Sequence, residues 1–384
     1  MDLLRNEVNI VHVKTKQEMK DFIQVAEDIY NNCPQYVPDW KQDIVDFFNP
    51  AKNPGLDFSE VQAFVAYRDE VPVGRIAGIV NHRANERWES KNVRFSMIEF
   101  IDDPIVPEAL IKAVEEWGKE KGMDTIQGPM GISDFDKEGM LVEDFDMTGS
   151  MNTYYNPPYY PQYMEQLGFE KETDWLQIRI DIPKEVPAKY ARVSQYVKEQ
   201  IGLRVVKKSP NDLIKGGYGR EVFRLLNEAY KPIFGYSKLS GKQVDEFLRK
   251  YIKLIDPQMI PIVLNDKDEM VGVAVTMGSL TSALQKSKGK LWPFGWWHML
   301  KSLKWQKEDH AEMLLIAVRP DYQGLGVNAL FFDDLIPIYN QCGYTWAETG
   351  PQLENNLKEL TQWKPLKPDF VKRRRCYTKK IKIS

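Results

Sequence analysis

The stretch with the clearest chemical meaning is AVRPDYQGLGVNALFFDDL, residues 317–335. An apolar run ends at Val318, a proline turn follows, and Gln323-Gly324-Leu325-Gly326 leads directly into a helical pattern. Glycines in a strand-to-helix turn let backbone N–H groups point at an anion, and the helix dipole adds positive potential there. The turn therefore predicts a phosphate or pyrophosphate site, although a plain tight loop is the competing interpretation. It is neither a Walker loop nor a Rossmann fingerprint, since both glycine patterns are incomplete.

The elements before this turn have a counterpart in the first half of the chain. QAFVAYRDEVPVGRIAGIV (62–80) predicts strand, polar turn and strand, and VRFSMIEFI (93–101) predicts another strand. The helix that follows carries Leu110, Val114 and Trp117 on one face. A short strand comes next.

The second half repeats this order of elements. PIVLNDKDEMVGVAVTMG (261–278) predicts a hairpin, AEMLLIAV (311–318) a strand and NALFFDDLIPIYNQCG (328–343) a helix, with YTWAET (344–349) as a last short strand. We therefore predict an α/β (α+β) protein built from two copies of one unit, each a mixed, mostly antiparallel sheet flanked by helices.

Hairpin, strand, Q-G-x-G turn, helix and short strand together resemble the GNAT (GCN5-related N-acetyltransferase) superfamily. The resemblance implies that the turn holds the pyrophosphate of coenzyme A, with acetyl-CoA or a longer acyl-CoA as co-substrate and no metal. The family pattern matches at Gln323 and Gly326, whereas Asn328 departs from it. The implied cofactor-binding residues are Val318, Gln323, Gly324, Leu325, Gly326, Val327, Asn328 and Asn355, the last toward the pantetheine arm or, alternatively, near a helix N-cap.

The first half resembles the same fold but has DDPIVPEAL where the phosphate turn would stand. The resemblance implies tandem GNAT-like domains, with 1–182 lacking the phosphate turn, 183–202 as a linker, and 203–384 binding acyl-CoA. The motifs GPMGISDFDKEGMLVEDF, YNPPYYPQYMEQLGFEKETDW and KRRRCYTKKI further resemble a bacterial group that includes ceramide synthase-like acyltransferases. That likeness implies a lipid amine, such as a sphingoid base, as the acyl acceptor.

Acyl transfer to an amine requires a base, because an alkylammonium is no nucleophile. Glu312, at the start of the strand before the turn, lies where some GNAT enzymes keep a catalytic glutamate. Glu348, at the end of the neighbouring short strand, is the second candidate, and His310 is the third. Trp363 stands near the place where the family usually has a tyrosine that protonates the leaving thiolate. Another acid or water would then supply this proton, or no acid is used.

Bulk properties exclude several classes of protein. The net charge is −3, which gives no support for a nucleic-acid partner, and Cys33, Cys342 and Cys376 fit a reducing compartment. No window approaches 18 apolar residues. We expect a cytoplasmic protein whose membrane contact, if any, is peripheral at the inner face. The acidic stretch from Asp134 lacks the last ligand of an EF-hand, so it predicts a solvated loop or the wall of an acceptor pocket rather than a calcium site.

An insertion, 281–307, separates the second hairpin from the strand of Glu312. It concentrates tryptophan and lysine without an acid between Lys286 and Lys307. As a helix from Gly295 it places Trp296, Met299, Leu300 and Leu303 on one face. Membrane or lipid docking, internal packing and dimerisation are the three interpretations, and the first would use Trp292, Trp296, Trp297, Lys301 and Lys304.

The sequence thus predicts an acyl-CoA-dependent N-acyltransferase acting on a small-molecule or lipid amine. One alternative is an acetyltransferase for a soluble amine. The other is a catalytically lapsed GNAT-fold module that binds lipid or protein.

Overall fold

A computed structural model describes residues 7–304 and 308–382, apart from the side chains at 304 and 357–359. The strands are β1 Asn9–His12, β2 Ser59–Arg68, β3 Val71–Asn81, β4 Asn92–Phe100, β5 Thr125–Gly128, β6 Met140–Leu141, β7 Glu170–Asp181, β8 Arg204–Val206, β9 Ile262–Leu264, β10 Met270–Gly278, β11 His310–Val318, β12 Trp346–Thr349, β13 Gln352–Leu353 and β14 Asp369–Lys380.

The helices are α1 Lys16–Ile29, α2 Lys41–Phe47, α3 His82–Arg87, α4 Ile105–Glu120, α5 Tyr159–Gln166, α6 Ala188–Tyr196, α7 Pro210–Ile214, α8 Tyr218–Ala229, α9 Gly241–Tyr251, α10 Thr281–Ser287, α11 Gly295–Lys304, α12 Val327–Cys342 and α13 Leu357–Gln362. Among the described residues, no helix is both long and apolar enough to cross a membrane.

The chain forms two compact units. Unit 1 comprises Met1–Trp175, Ser287–Pro293 and Lys372–Ser384, and unit 2 comprises Leu176–Lys286 and Phe294–Val371. The domain ranges 1–182 and 203–384 remain a prediction. In the structure, the last strand β14 belongs to unit 1 from Lys372 onward.

Unit 1 is a mixed sheet in the order β1-β2-β3-β4-β5-β14, with β7 next to β14. The predicted hairpin is confirmed as β2 and β3, joined by Asp69 and Glu70, both with positive φ. Two left-handed residues give the turn the twist that a tight hairpin needs. The predicted apolar face of α4 is also confirmed, since Leu110, Val114 and Trp117 are buried.

Unit 2 repeats this plan in the order β12-β11-β10-β9-β8, with the second half of β7 paired to β12. β9, β10 and β11 are antiparallel, and β11 and β12 are parallel. This arrangement confirms the predicted hairpin, strand, helix and strand of the second copy.

One glycine position, occupied in both units, shows that they share the same helix-to-strand packing. A Cβ on Gly74 of β3 would lie 2.6 Å from a Val106 methyl of α4, and one on Gly272 of β10 would lie 3.0 Å from Phe331 and Val327 of α12. The bare backbone lets a helix pack closely at the same place in both sheets.

The basic C-terminal strand β14 is partly buried in unit 1. Arg374 is buried in unit 1, and its guanidinium donates to Thr153 Oγ1 at 2.9 Å and to the carbonyl of Tyr154. Arg373 and Arg375 both pair with the buried Asp174. The Asp174 carboxylate therefore compensates Arg373 and Arg375 within unit 1, whereas Lys380 at the end of the strand is exposed.

Candidate active site

The turn between β11 and α12 has the geometry of an anion site. Gly324 and Gly326 adopt left-handed φ angles of 82° and 88°, and α12 begins at Val327. The Gln323 side chain donates to the Val318 carbonyl at 3.1 Å and closes the turn. The first N–H groups of a helix have no acceptor within the helix, so those of Val327 and Asn328 are available to a bound anion. The Ala329 N–H donates to the Gly326 carbonyl at 3.0 Å.

The two glycines of the turn are required for different reasons. A Cβ on Gly326 would lie 2.6 Å from a Val193 methyl of α6, whereas one on Gly324 would meet nothing within 4 Å. Gly326 is therefore needed for packing and for conformation. Gly324 is needed for conformation alone, which makes it the better position for a test.

The remaining predicted cofactor residues lie in two places. Leu325 is exposed at the tip of the turn, and the Asn328 amide donates to the Gln362 side chain of α13. Asn355 is exposed in the loop before α13. The predicted residues from 323 to 328 thus lie together, in the turn and at the start of α12. A cofactor role for Asn355 stays a prediction.

The two predicted glutamates are direct neighbours. Glu312 and Glu348 are register partners in the parallel pair β11–β12, so their Cα atoms lie about 4.8 Å apart and their side chains share one face of the sheet. Both are buried, each 4% exposed. A pair of buried carboxylates on adjacent strands is suited to accepting and passing a proton.

A polar row flanks this pair. The buried Gln177 of β7 donates to Glu348 Oε1 at 2.7 Å, and Arg179 is the register partner of Glu348. The Arg179 guanidinium lies 4.1 Å from the Trp346 ring centroid, and the His310 ring stacks on Trp346 at 3.9 Å. His310, the third base candidate, is thus held in a stack beside the glutamates.

Beyond the glutamates, β11 and β12 separate. Their pairing covers His310–Met313, and the chain leaves β12 where the Gly350 N–H donates to the Met313 carbonyl at 2.9 Å. A β-bulge at Leu314 bends β11, which continues to Val318. Five residues span about 16 Å, so the strand leads from the glutamates to the anion turn along an edge that β12 does not pair.

Unit 1 lacks both features. The register of β4 against β3 places Arg94 at the position that Glu312 occupies in unit 2, and the register of β5 against β4 places Gln127 at the position of Glu348. Its counterpart of the phosphate turn contains Asp102 and Asp103, whose carboxylates would repel a phosphate. The anion turn and the glutamate pair therefore belong to unit 2.

Unit 1 has a different buried carboxylate, Glu99 of β4. Tyr30 and Tyr160 donate to its Oε2 at 2.5 and 2.9 Å, and Arg75 lies 3.7 Å from Oε1. Burial raises the pKa of Glu99 to about 7, even though Arg75 and the tyrosine donors favour its charged form. Tyr154, Tyr155 and Tyr160 lie around Glu99, and Tyr159, Tyr160 and Tyr163 contact the Phe100 ring.

The acidic stretch of unit 1 is not fully solvated, which corrects one interpretation of it. Asp136 accepts from the Ser133 backbone N–H at 2.9 Å, and burial raises the pKa of Asp136 and of Glu138. The described part of the chain contains no group of acidic, histidine and cysteine side chains that could hold a metal ion.

Sequence reasoning missed Gln177 and Arg179. They alternate with Ile178 and Ile180 in DWLQIRI, so a period of two marks them as facing away from the apolar side. No motif indicates their partners, because about 170 residues separate Gln177 from Glu348.

Comparison with known proteins indicates the fold. No family model matches the chain. A bacterial ceramide synthase of Caulobacter vibrioides (strain NA1000 / CB15N) is 27% identical over 327 residues, 84% of this chain and 83% of that protein. Protein YghO of Escherichia coli (strain K12) is 26% identical over 374 residues, 95% and 94% of the two chains.

Solved structures give the same picture. A tandem GNAT protein from the clavulanic acid biosynthesis pathway superposes with a TM-score of 0.58 at 11% identity, covering 98% of this chain and all of that one. A GCN5-related N-acetyltransferase from Sphaerobacter thermophilus gives 0.51 at 12% identity, covering 99% and 97%. The chain has the tandem GNAT fold.

Proposed function

We propose that the protein transfers an acyl group from acyl-CoA to a primary amine, with the chemistry in unit 2. The observation that carries this proposal is the register pairing of two buried glutamates, Glu348 of β12 and Glu312 of β11, the strand that ends at the anion turn. The pyrophosphate would bind the N–H groups of Gly324, Gly326, Val327 and Asn328, because the Leu325 N–H donates to the Tyr322 carbonyl at 3.3 Å. The amides of the pantetheine arm would then pair with the edge of β11 that β12 leaves, as an added strand does, beside the Ile316 carbonyl that accepts from the Tyr230 hydroxyl at 3.0 Å.

The glutamate pair supplies the base. It takes a proton from the ammonium, and the freed amine nitrogen attacks the thioester carbonyl. The C–S bond breaks as the tetrahedral intermediate collapses, an amide forms, and the thiolate of coenzyme A leaves and is protonated from solvent or from the pair. Gln177 holds Glu348 through its amide, and Arg179 and the His310–Trp346 stack close one side of the row.

The acceptor that we propose is a lipid amine, and the donor a long-chain acyl-CoA. The ceramide synthase of C. vibrioides supports this choice through its likeness over 84% of the chain. An acetyltransferase acting on a soluble amine is the second candidate. A panel of acyl-CoAs of increasing chain length, offered with a sphingoid base or with a polyamine, separates the two by kcat/KM.

Coenzyme A binding is tested at Gly324. Gly324→Asp adds a carboxylate at the anion turn without a steric clash, so it should abolish the thermal stabilisation that coenzyme A gives the wild-type protein. Gly343→Asp is the matched control, because Gly343 also has a left-handed φ, of 77°, and open space, at the opposite end of α12.

The control should keep the ligand-induced shift in Tm, although both variants start from a lower Tm. A wild-type protein without any shift at saturating coenzyme A would favour the lapsed binding module instead.

A further inference from the structure

The Trp-rich segment, defined as residues 291–297, exposes an unusual amount of apolar surface. The exposed fractions of its large side chains are 44% for Leu291, 78% for Trp292, 70% for Phe294, 46% for Trp296 and 44% for Trp297. Single exposed hydrophobic residues are ordinary on a protein surface, but five within seven positions mark an interaction site.

The helix that begins at the end of this segment, α11, exposes its two tryptophans. In α11, Gly295 and Met299 are buried, whereas Trp296 and Trp297 are exposed. Trp296 and Met299 are neighbours on the helix at i and i+3, as the sequence-based stripe has them, yet Met299 is buried while Trp296 is 46% exposed. Internal packing of this helix therefore uses Met299 and leaves the indole rings at the surface.

The chain just before the Trp-rich segment is held firmly. Gly289, with φ of 66°, lies so close to the backbone of Asp39 that a Cβ would be 2.1 Å from its carbonyl oxygen. The Lys41 N–H donates to the Gly289 carbonyl at 3.0 Å. This anchorage fixes the start of the exposed segment, so less conformational freedom is lost when it binds.

The charge around the segment has one sign. Lys286, Lys288 and Lys290 are exposed directly before it, Lys301 is half-buried after it, and no acid occurs from 285 to 304. The side chain of Lys304, also predicted to contribute, lies outside the described residues. Aromatic side chains that insert at the level of the headgroups, flanked by lysines, complement an anionic lipid surface.

We propose that the Trp-rich segment and its flanking lysines dock the protein on the surface of an anionic lipid bilayer. The lysines without a neighbouring acid in the sequence favour this occupant over another protein face, because anionic headgroups supply the opposite charge and the indole rings are stable at headgroup level. Docking of this kind would bring the protein to the source of a lipid acceptor, yet it does not depend on the proposed reaction.

Vesicle flotation tests the docking without coenzyme A or amine, so its result is independent of the acyltransferase proposal. The wild-type protein should float with phosphatidylcholine vesicles that contain phosphatidylglycerol, and less with phosphatidylcholine alone. Trp292→Ser with Phe294→Ser should weaken binding at least about tenfold. Lys288→Gln with Lys290→Gln should weaken binding to the anionic vesicles about 30-fold at low salt.

The matched control is Trp88→Ser with Phe370→Ser, which removes two exposed aromatic residues elsewhere, 41% and 51% exposed. This variant should float like the wild-type protein. Equal flotation of the wild-type protein and the Trp292/Phe294 variant would overturn the proposal. A wild-type protein that binds neither kind of vesicle would also overturn it. Sedimentation would then show whether the Trp-rich segment mediates a dimer instead.

Discussion

At the scale of single residues, the site depends on two carboxylates that share a sheet face. Glu312 and Glu348 are 36 positions apart in the chain, yet they are adjacent because β11 and β12 pair in parallel at that register. The Gln177 amide donates to one of them from a third strand. This arrangement implies that the two glutamates work together.

We expect Glu312→Gln and Glu348→Gln each to lower kcat by about 10²- to 10⁴-fold, the usual contribution of a general base. The double variant should lose little more than the worse single variant, since residues that act as a unit are not additive. Steady-state kinetics with a saturating acyl-CoA measure this. Glu99→Gln, the buried glutamate of unit 1, should retain full activity, and losses that multiply in the double variant would contradict the shared role.

At the scale of elements, each unit depends on close packing between one helix and the second strand of its hairpin. Gly74 makes this possible for α4, and Gly272 does so for α12. The contact at Gly74 is the tighter one, because an added methyl group would lie 2.6 Å from Val106 and 2.9 Å from Leu110.

Gly74→Ala should therefore lower the free energy of unfolding by about 1–3 kcal/mol, the usual cost of overpacking a core. Gly241→Ala is the matched control, because the added Cβ on α9 meets nothing within 4 Å and φ is not left-handed. Urea denaturation should find this control as stable as the wild-type protein or slightly more stable. Equal stability of Gly74→Ala and the control would show that α4 can move away.

At the scale of the whole molecule, buried carboxyl groups make stability depend on pH. Burial raises the pKa of Glu99 from its ordinary value of 4.5 to about 7. Its folded-state pKa lies above its unfolded value, so its contribution to stability is complete below about pH 4.5. That contribution is lost as the pH rises through 7, because the unfolded chain releases the proton first.

Glu99→Gln removes this loss. Between pH 4 and pH 8 the stability of the variant relative to the wild-type protein should rise by about 3 kcal/mol, the equivalent of 2.5 pKa units. Urea denaturation across this pH range measures the difference. Glu116→Gln, at an exposed position of α4, is the control and should run parallel to the wild-type protein. A parallel curve for Glu99→Gln as well would mean that the pKa of Glu99 is the same in the folded and the unfolded chain.

The sequence by itself determined the local features: both hairpins, the apolar face of α4, and the turn at Gln323–Gly326. Each depends on residues close in the chain, whose backbone preferences and periodicity can be read directly. The tertiary structure alone decided that Glu312 meets Glu348, that Gln177 reaches Glu348, that Arg374 is buried and that Trp296 is not. These outcomes depend on which strands become neighbours and on their register, and a strand's own residues specify only its alternation, not its partner.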